Sequence, residues 1–245
     1  MAPPILLVMY GVENAQIYEL IHEGRGKDYL AEAEEITRRV RRLKPDAGAL
    51  LDVACGTGAH LGYFARLFAR VEGLELSEAM VAVAARRLAG VPVHAGDMRA
   101  FDLGRTFDVI TCMFGALGYA ETEAELRETL RCFARHLVPG GVAAVDPWWF
   151  PENFLDGHVS GDVAAVDGLT VARVSHSARD GAACRMNVHY VVAGARSGVR
   201  HFEEAHRISL FRREQYEAAF AAAGFTVGYV DGLHSGRGLF VGVRD

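Results

Sequence analysis

Acidic and glycine residues stand together after an apolar segment in the first half of the chain. Asp52, Gly56 and Gly58 form a D-x-x-x-G-x-G loop in "LLDVACGTGAH". Glycines let a backbone come close to a ligand, and a loop between a strand and a helix commonly binds one. A carboxylate at Asp52 repels a pyrophosphate but attracts an ammonium or sulfonium group. Because Leu61 occupies the place of the third glycine of a dinucleotide fingerprint, the loop favours a cationic ligand over a nicotinamide dinucleotide.

Two further carboxylates follow at matching places. Glu75 stands about 20 residues after Asp52, the usual separation for an acid that accepts the two hydroxyls of an adenosine ribose. Asp97, in "AGDM", is placed to accept a hydrogen bond from an adenine amino group. One acid at a strand end is often only solvated, but three acids at three successive strand ends favour an adenosine site.

The elements that would hold these residues alternate between strand and helix. Apolar runs predict strands at 49–54, 71–77, 91–98, 107–115 and 142–149. Helical spacing predicts helices at 27–44, 60–71 and 78–90, with Ser77 as the N-cap of the third, and a helix from 121 that ends at Pro139 and Gly140. This alternation indicates an α/β fold, a parallel sheet with helices on both faces. Such sheets bind ligands at the carboxyl ends of their strands, where the acids and glycines lie.

The pattern changes to a period of two after Pro151. From 163 to 211, apolar residues alternate with polar ones, and Glu204 and His206 share a face with apolar neighbours in "RHFEEAHRISL". This predicts three or four antiparallel strands, followed by a helix at 213–224 and by strands at 226–232 and 238–244 that complete the main sheet. We therefore expect one domain over 1–245, with a core at 27–150 and 211–245 and an inserted antiparallel β-sheet subdomain at 151–210. That subdomain would cover the substrate or form a dimer surface.

Composition excludes several functions. The net charge of −5 disfavours a nucleic-acid partner, and we interpret the basic run at 38–44 as a solvated helix end. No apolar segment approaches the ~18 residues that a membrane span needs. The four cysteines have no C-x-x-C spacing and the ten histidines form no H-x-x-x-H pair, so we expect no metal site. A reduced cytoplasmic protein is the simplest interpretation.

The first half of the chain resembles the class I S-adenosylmethionine-dependent methyltransferases, which have a Rossmann-like sheet. "LLDVACGTG" is similar to their first motif, "GLELS" to the segment with the ribose acid, and "AGDM" to the adenine segment. "LVPGG", before the fifth predicted strand, is another typical element. This resemblance covers roughly residues 50–146.

A longer set of motifs resembles the TDP-aminosugar N,N-dimethyltransferases of macrolide deoxysugar pathways, which make the dimethylamino groups of desosamine, mycaminose and forosamine. The similar segments are "GRGKDY", "DVACGTGAHL", "GLELSEAM", "GDMR", "CMF", "PWWFPENF", "RVSHS", "RHFEEAHRISLF" and "SGRGLFVG". They span about residue 10 to residue 243. "PWWFPENF" and "SGRGLF" lie outside the methyltransferase core and make the resemblance specific.

The resemblance implies a cofactor, a substrate and a chemistry. The cofactor is S-adenosyl-L-methionine, the substrate is a TDP-aminosugar of antibiotic biosynthesis, and the protein is a homodimer. The sugar amine attacks the sulfonium methyl group in line, twice in succession, so that positioning matters most. Whether a dedicated general base takes part stays open, because an amino sugar loses its proton nearer neutral pH than lysine does.

The resemblance also implies roles for individual residues. Tyr10 and Tyr119 face the reacting amine as the catalytic residues. The cofactor would be surrounded by Tyr18, Asp52, Ala54, Gly56, Gly58, Glu75, Leu76, Asp97, Met98 and Met113. The sugar nucleotide would be bound by Arg237 at the diphosphate, by Arg173 and Ser175 from the inserted sheet, and by Trp148, Trp149 and Phe150 as walls for the sugar and thymine.

One departure from the family leaves the sugar open. Gly115 and Ala116 stand where relatives commonly carry serines, so the amine could be at C-3 or at C-4. Three alternatives also stay open: a methyltransferase (O- or N-) of another small natural product, a nicotinamide-dependent oxidoreductase, and a binding module without catalysis. Core packing is the ordinary alternative role for the tyrosines and tryptophans.

Overall fold

The computed structural model of the chain describes residues 10–233 and 235–245. Its helices are α1 (Val12–Gly24), α2 (Tyr29–Leu43), α3 (Ala59–Phe64), α4 (Glu78–Arg87), α5 (Glu123–Arg135) and α6 (Arg213–Ala222), with a 3-10 turn at Ala116–Tyr119. Its strands are β1 (Ala49–Val53), β2 (Arg70–Glu75), β3 (Val93–Ala95), β4 (Phe107–Cys112), β5 (Leu137–Val145), β6 (His158–Val166), β7 (Leu169–Asp180), β8 (Ala183–Gly194), β9 (Gly198–Ser209), β10 (Phe225–Val230) and β11 (Leu239–Arg244).

The main sheet has the strand order β10-β11-β5-β4-β1-β2-β3. Strands β1 to β5 pair in parallel, whereas β11 lies antiparallel between β5 and β10. The chain proceeds outward from β1 through β2 to β3, and then returns to place β4 on the other side of β1. This reversal is the topological switch point at which sheets of this kind bind ligands. The predicted α/β fold with a mainly parallel sheet is confirmed, including the two closing strands.

Alternate residues of the strands supply a hydrophobic core on each face of the main sheet. On one face, Leu51 and Ile110 belong to a buried cluster with Phe133 of α5 and Phe220 of α6. On the other face, Leu50 and Val109 belong to a second cluster with α2 and α3. Strands that are apolar on both faces and covered by helices on both sides are typical of parallel sheets.

The second sheet is a four-stranded antiparallel meander in the order β6-β7-β8-β9. Its alternation agrees with the predicted period of two, because Val188, Tyr190 and Val192 of β8 are buried while the residues between them are exposed. Helix α1 packs on the buried face, where Ile17 and Ile21 join the apolar cluster of the sheet. The remainder of this face carries polar side chains, which contribute to the site described below.

Two parts of the local prediction were wrong. Helix α1 was not anticipated, since it begins after Gly11, which has no side chain to cap it, and its apolar residues are buried by the second sheet. Helix α5 ends at Arg135 and β5 begins at Leu137, so that "LVPGG" belongs to a strand rather than to a helix end. The register of β4 with β5 shifts between Phe107 and Val109, which accommodates Pro139 and Gly140 as a bulge.

Other boundaries moved less. The predicted N-cap Ser77 is confirmed, since its hydroxyl accepts the N–H of Met80 at 3.2 Å. Helix α3 ends at Phe64, shorter than predicted, and the chain continues in turns through Phe68. None of the helices in the described residues is long and apolar enough to cross a membrane. The same residues contain no group of three or more His, Cys, Asp or Glu side chains arranged to hold a metal ion.

Candidate active site

A cavity of about 860 Å³ opens at the carboxyl ends of β1 to β4, beside the N-terminal part of α1. Its size falls within the range of small-molecule sites, roughly 300–1,000 Å³. Both predicted catalytic tyrosines line it. So do nine of the ten residues predicted to bind the cofactor, namely Tyr18, Asp52, Ala54, Gly56, Glu75, Leu76, Asp97, Met98 and Met113. The structure therefore brings these residues to one place, and their individual roles stay predictions.

Gly58 does not line the cavity and has a different explanation. It is the N-cap of α3 and has a φ of 77°, the left-handed region that favours glycine. A Cβ at this position would lie 2.8 Å from Cδ1 of Leu88 and 3.3 Å from Cβ of Ala84. Gly58 therefore allows the loop after β1 to pack against α4.

Glu75 fixes the loop between β1 and α3. Its Oε2 accepts the N–H of Gly56 at 2.9 Å, and its Oε1 accepts the N–H of Ser77 at 2.8 Å. Burial raises the pKa of Glu75, against the opposing effect of these backbone donors. Each carboxylate oxygen can accept a further hydrogen bond. The two hydroxyls of a ribose would find their acceptor here.

Asp97 is held by a residue that the sequence analysis did not anticipate. Arg99 donates to both carboxylate oxygens, with Nε 2.9 Å from Oδ1 and Nη2 2.6 Å from Oδ2, and the N–H of Arg99 also donates to Oδ1 at 2.9 Å. Burial favours the neutral form of the Asp97 carboxyl, but the hydrogen bonds and the charge of Arg99 together have the larger effect, so the pKa of Asp97 is lowered. Asp97 is therefore an anionic acceptor of fixed orientation on the cavity wall.

Asp52 is buried at the end of β1. Burial raises the pKa of its carboxyl to about 6, although His60 and a hydrogen bond from Thr111 act in the opposite direction. The hydroxyl of Thr111 donates to Oδ1 at 2.7 Å. A cation in the cavity would favour the ionised form of Asp52, so the carboxyl is suited to a positively charged ligand.

Two buried hydroxyls on the cavity wall have no hydrogen-bond partner among the described residues: those of Tyr29 and Thr57. Buried polar groups are normally satisfied, so such hydroxyls indicate polar ligand atoms. Together with the three carboxylates, they fit a nucleoside ligand with a cationic amino-acid part. Next to them, Glu32 accepts from Lys27 at 2.7 Å and contacts Nε2 of His60 at 2.7 Å.

The two predicted catalytic tyrosines meet at the cavity surface. The hydroxyl of Tyr10 lies 2.7 Å from that of Tyr119, which in turn lies 3.0 Å from Nδ1 of His206 on β9. The backbone of Tyr10 is fixed on both sides, since its N–H donates to Glu204 at 2.9 Å and its carbonyl accepts from Ser77 at 2.8 Å. Burial raises the pKa of both phenols, so both remain neutral near physiological pH.

Arg237 lies beside the cavity rather than in its wall. It is 8% exposed, and its Nη2 donates to Oδ2 of Asp146 at 3.0 Å. Its guanidinium lies over the rings of Phe114, Trp148 and Trp149 at 5.3–5.7 Å, and Phe114 lines the cavity. The prediction of a diphosphate contact did not anticipate this ion pair.

The other predicted substrate residues are dispersed. Phe150 was expected to wall the substrate, but it packs in the core of the main sheet against Tyr216, Tyr229 and Phe240. Trp148 lies against a small apolar cluster that joins the two sheets.

Arg173 and Ser175 are buried on the inner face of β7. Nη1 of Arg173 donates to the hydroxyl of Ser175 at 2.9 Å, and no carboxylate of the described residues pairs with Arg173. Neither residue lines the cavity of about 860 Å³. Their contact with a nucleotide stays a prediction.

His206, Glu204 and Asp146 were not predicted as site residues. A signal was present for the first two, because a glutamate and a histidine on the apolar face of a strand need partners when they are buried. Asp146 follows β5 directly, at the same edge of the sheet as Asp52 and Glu75. Its partner, Arg237, is distant in the sequence, so the pair could not be identified without the fold.

Known proteins are similar to this chain in both sequence and architecture. A methyltransferase-domain family model matches residues 50–141. The dTDP-3-amino-3,4,6-trideoxy-alpha-D-glucopyranose N,N-dimethyltransferase of Streptomyces venezuelae is 55% identical, covering 96% of this chain and 99% of that protein. The dTDP-4-amino-2,3,4,6-tetradeoxy-D-glucose N,N-dimethyltransferase of Saccharopolyspora spinosa is 49% identical over 97% of this chain and 95% of that protein.

A solved structure is similar to this chain in its fold as well. The chain is similar to the S-adenosylmethionine-bound CalS10 of Micromonospora echinaspora, an amino pentose methyltransferase involved in calicheamicin biosynthesis. The two are 52% identical with a TM-score of 0.86, over 94% of this chain and 97% of that one. The class I methyltransferase fold and the S-adenosyl-L-methionine cofactor are thereby confirmed. The chain belongs to the family of S-adenosyl-L-methionine-dependent dTDP-aminosugar N,N-dimethyltransferases.

Proposed function

We propose that the protein transfers two methyl groups in succession to the amino group of a dTDP-linked deoxyaminosugar in antibiotic biosynthesis. The observation that carries the proposal is the single cavity in which the acids that suit an adenosyl cofactor meet two hydroxyls that can orient an amine. The acids are Asp52, Glu75 and Asp97, and the hydroxyls are those of Tyr10 and Tyr119. When bound, S-adenosyl-L-methionine supplies an electrophilic methyl group on sulfur.

The residues of the cavity would hold the cofactor along its length. Glu75 accepts the ribose hydroxyls, Asp97 and Met98 meet the adenine, and Asp52 offsets the positive charge of the methionine part. Tyr18, Ala54 and Gly56 complete the wall, with Leu76 and Met113 as apolar contacts. Support comes from their common cavity and from the hydroxyls of Tyr29 and Thr57, which have no hydrogen-bond partner in the described part of the chain.

Tyr10 and Tyr119 would act by positioning the substrate nitrogen. Because burial raises the pKa of both phenols, neither serves as a phenolate base. Methyl transfer in line needs the nitrogen about 3–3.5 Å from the methyl carbon, which a fixed hydrogen-bond acceptor can impose. We expect Tyr119→Phe to slow the reaction by less than the ~10²–10⁴-fold that loss of a general base costs. A larger loss in steady-state kcat would contradict a positioning role.

Arg237, Arg173 and Ser175 would bind the nucleotide part of the substrate. Arg173 supports an anionic ligand, since a guanidinium that is 4% exposed without a carboxylate partner among the described residues is costly to bury. We expect Arg237→Ala to raise KM for the sugar nucleotide far more than KM for S-adenosyl-L-methionine. Equal increases in both constants would contradict the diphosphate assignment.

The position of the amine on the sugar stays open between C-3 and C-4. The relatives from Streptomyces venezuelae and Saccharopolyspora spinosa act on a 3-amino and a 4-amino sugar, respectively. Gly115 has a φ of 77° and a Cβ there would lie 2.7 Å from Cε3 of Trp148, so a serine is excluded unless Trp148 moves. The close contact between Gly115 and Trp148 therefore shapes the cavity wall next to Ala116, where the sugar would lie.

The test is incubation with S-adenosyl-L-methionine and each dTDP-aminosugar, followed by mass spectrometry. The proposal predicts a product with two added methyl groups from the 3-amino or the 4-amino sugar. Methylation of an unlinked small acceptor, with neither sugar nucleotide modified, would contradict it and favour a methyltransferase of another natural product.

We also propose a homodimer in the cytoplasm, with 151–210 as an inserted subdomain of one domain over 1–245. The outer face of the second sheet supports a dimer surface, since it carries exposed valines, namely Val159, Val163, Val174, Val191 and Val199. The four buried cysteines are unpaired, as in a reducing compartment. Light scattering should give a dimer for the wild type and a monomer for Val163→Glu. Leu43→Glu, an exposed apolar residue on α2, is the control that should remain dimeric.

A further inference from the structure

A buried carboxylate connects the two loops beside the cavity that carry Phe114 and Arg237. Asp146 follows β5 directly and is 2% exposed. Its Oδ2 accepts the backbone N–H of Phe114 at 3.1 Å, and its Oδ1 accepts the hydroxyl of Ser235 at 3.2 Å. Because these donors bind different oxygens, they fix the plane of the carboxylate. Asp146 does not line the cavity, so its effect on a ligand passes through the residues that it holds.

The backbone around Asp146 is fixed as well. Its N–H donates to the carbonyl of Cys112 at 3.0 Å, and its carbonyl accepts the N–H of Gly115 at 3.1 Å. Phe114 stands between these two residues with a φ of 61°, a left-handed conformation that is strained for a residue with a Cβ. Such a conformation persists only where its surroundings hold it, and the hydrogen bonds of Asp146 do so here. The carboxylate is therefore a rigid acceptor.

Asp146 and the carbonyl of Pro147 occupy one edge of the Arg237 guanidinium. Nη2 of Arg237 donates to Oδ2 of Asp146 at 3.0 Å, and Nε donates to the carbonyl of Pro147 at 2.8 Å. A guanidinium is a planar fork with five N–H donors, one on Nε and the others on the two Nη atoms. The edge formed by Nε and Nη2 is used by these two bonds. At the end of the fork, Nη1 donates to none of the described residues.

Aromatic rings restrict the guanidinium further. The rings of Phe114, Trp148 and Trp149 have their centroids 5.3–5.7 Å from its central carbon. Such contacts favour a guanidinium over a ring and resist its rotation. The held edge and the neighbouring rings together leave the end of the fork, with Nη1, as the part of Arg237 that can meet a ligand.

A diphosphate fits this end of the fork. Two N–H groups side by side match two phosphate oxygens, and the strength of such a pair depends on the direction of the fork. We infer that Asp146 is a positioning residue for substrate binding, which holds the inner edge of Arg237 so that the outer end meets the diphosphate of the sugar nucleotide. The inference rests on the proposed function, which places the diphosphate at Arg237.

Charge and positioning predict opposite effects for a substitution of Asp146. A carboxylate near a diphosphate repels it, so loss of the charge alone would tighten nucleotide binding. Loss of the acceptor oxygens would release Arg237 and weaken nucleotide binding. The sign of the change therefore distinguishes a positioning residue from a charge that merely lies nearby.

The test measures the Kd of dTDP and of S-adenosylhomocysteine by titration calorimetry. Asp146→Ala removes the acceptor, and we expect the Kd of dTDP to rise about 10-fold, the scale of one lost hydrogen bond to a charged group. Asp146→Asn keeps an oxygen that can accept from Phe114 and Arg237, so it should bind dTDP at least about 3-fold more tightly than D146A. The Kd of S-adenosylhomocysteine should change less than that of dTDP. Tighter dTDP binding in D146A, equal affinities of the two variants, or equal losses for both ligands would overturn the inference.

The same substitution in a protein without Arg237 gives the most specific readout. In Arg237→Ala there is no guanidinium to position, and the unpaired charge of Asp146 only repels the diphosphate. D146A should therefore weaken dTDP binding in the wild type but leave it unchanged or tighten it in R237A. A merely structural role would weaken binding by the same factor in both proteins, and that result would overturn the inference.

Asp108→Ala is the matched control. Asp108 also accepts backbone N–H groups, from Gly48 and Ala49 at 2.9 Å, but it lies near the start of β4, at the opposite edge of the sheet from the cavity. This variant should lower the melting temperature and leave both Kd values unchanged.

A second variant keeps the inference testable if D146A does not fold. Arg237→Lys retains the charge but has no planar fork, so its ammonium should pair with Asp146 and leave dTDP bound about as weakly as in R237A. Binding as tight as in the wild type would overturn the inference. If R237A itself binds dTDP like the wild type, the proposed diphosphate site fails and the inference with it. If R237A binds dTDP weakly and D146A does not, the inference alone fails.

Discussion

Glu75→Gln is the substitution that most sharply tests how the cavity holds its cofactor. The carboxylate accepts two backbone N–H groups, from Gly56 and Ser77. Glutamine keeps one oxygen acceptor and turns its NH2 group toward the other donor. Hydrogen bonds to charged groups contribute about 1.5–3 kcal/mol each, so the free energy of unfolding should fall by about that amount. Part of this loss in unfolding free energy is offset, because the substitution also removes a buried charge that is costly to the fold, as the raised pKa of Glu75 indicates.

The effect on cofactor binding follows from the same numbers. If the ribose hydroxyls donate to Glu75, loss of one charged acceptor should weaken binding of S-adenosylhomocysteine by about 10- to 150-fold. Titration calorimetry measures this directly. An analogue without the 2′-hydroxyl should bind the wild type more weakly, but it should lose little more in E75Q, because both changes remove the same contact.

Glu72→Gln is the matched control for Glu75→Gln. Glu72 is a buried acid on the same strand, contacts His94 at 2.8 Å and Arg105 at 3.3 Å, and does not line the cavity. This variant should lower the melting temperature and leave the Kd of S-adenosylhomocysteine unchanged. The assignment is refuted if E75Q binds like the wild type, or if both variants lose affinity equally.

Two further substitutions separate binding from stability. For Asp52→Asn, the raised folded pKa means that protonated Asp52 stabilises the fold at low pH and that this contribution is lost as pH rises through about 6. D52N should therefore unfold at a higher denaturant concentration than the wild type above pH 6. Its affinity for S-adenosyl-L-methionine should no longer fall as pH drops through about 6, and an affinity that falls with pH in both proteins alike would contradict this. For Gly58→Ala, the left-handed φ and the contact with Leu88 predict a loss of about 1–3 kcal/mol in unfolding free energy, with S-adenosylhomocysteine bound as before below the melting temperature; an undiminished stability in chemical denaturation would show that the packing argument is wrong.

The cofactor half of the cavity could be predicted from the sequence because local signals place it. Asp52, Glu75 and Asp97 each end a predicted strand, and parallel strands bring their carboxyl ends to one edge. The positions therefore follow once the alternation of strands and helices is recognised. Gly58 shows the limit of this reasoning, since the same glycine pattern serves helix packing as well as ligand approach.

The substrate half depends on contacts between distant segments. Arg237 is held by Asp146 and by aromatic rings from two other loops, and nothing near Arg237 in the sequence reveals that partner. Helix α1 was missed because the surface that buries Ile17 and Ile21 comes from the second sheet, far along the chain. Phe150 stands beside two tryptophans in the sequence, yet the end of β5 directs it into the core.

The measurement that tests the central claim most directly is a crystal structure with S-adenosylhomocysteine and a dTDP-aminosugar. We predict the ribose hydroxyls at Glu75, and the amine nitrogen next to the hydroxyls of Tyr10 and Tyr119 and directed at the cofactor sulfur. The diphosphate should lie outside the loop of Gly56, toward Arg237. An amine directed away from the two tyrosines, or phosphates bound at the Gly56 loop, would contradict the account.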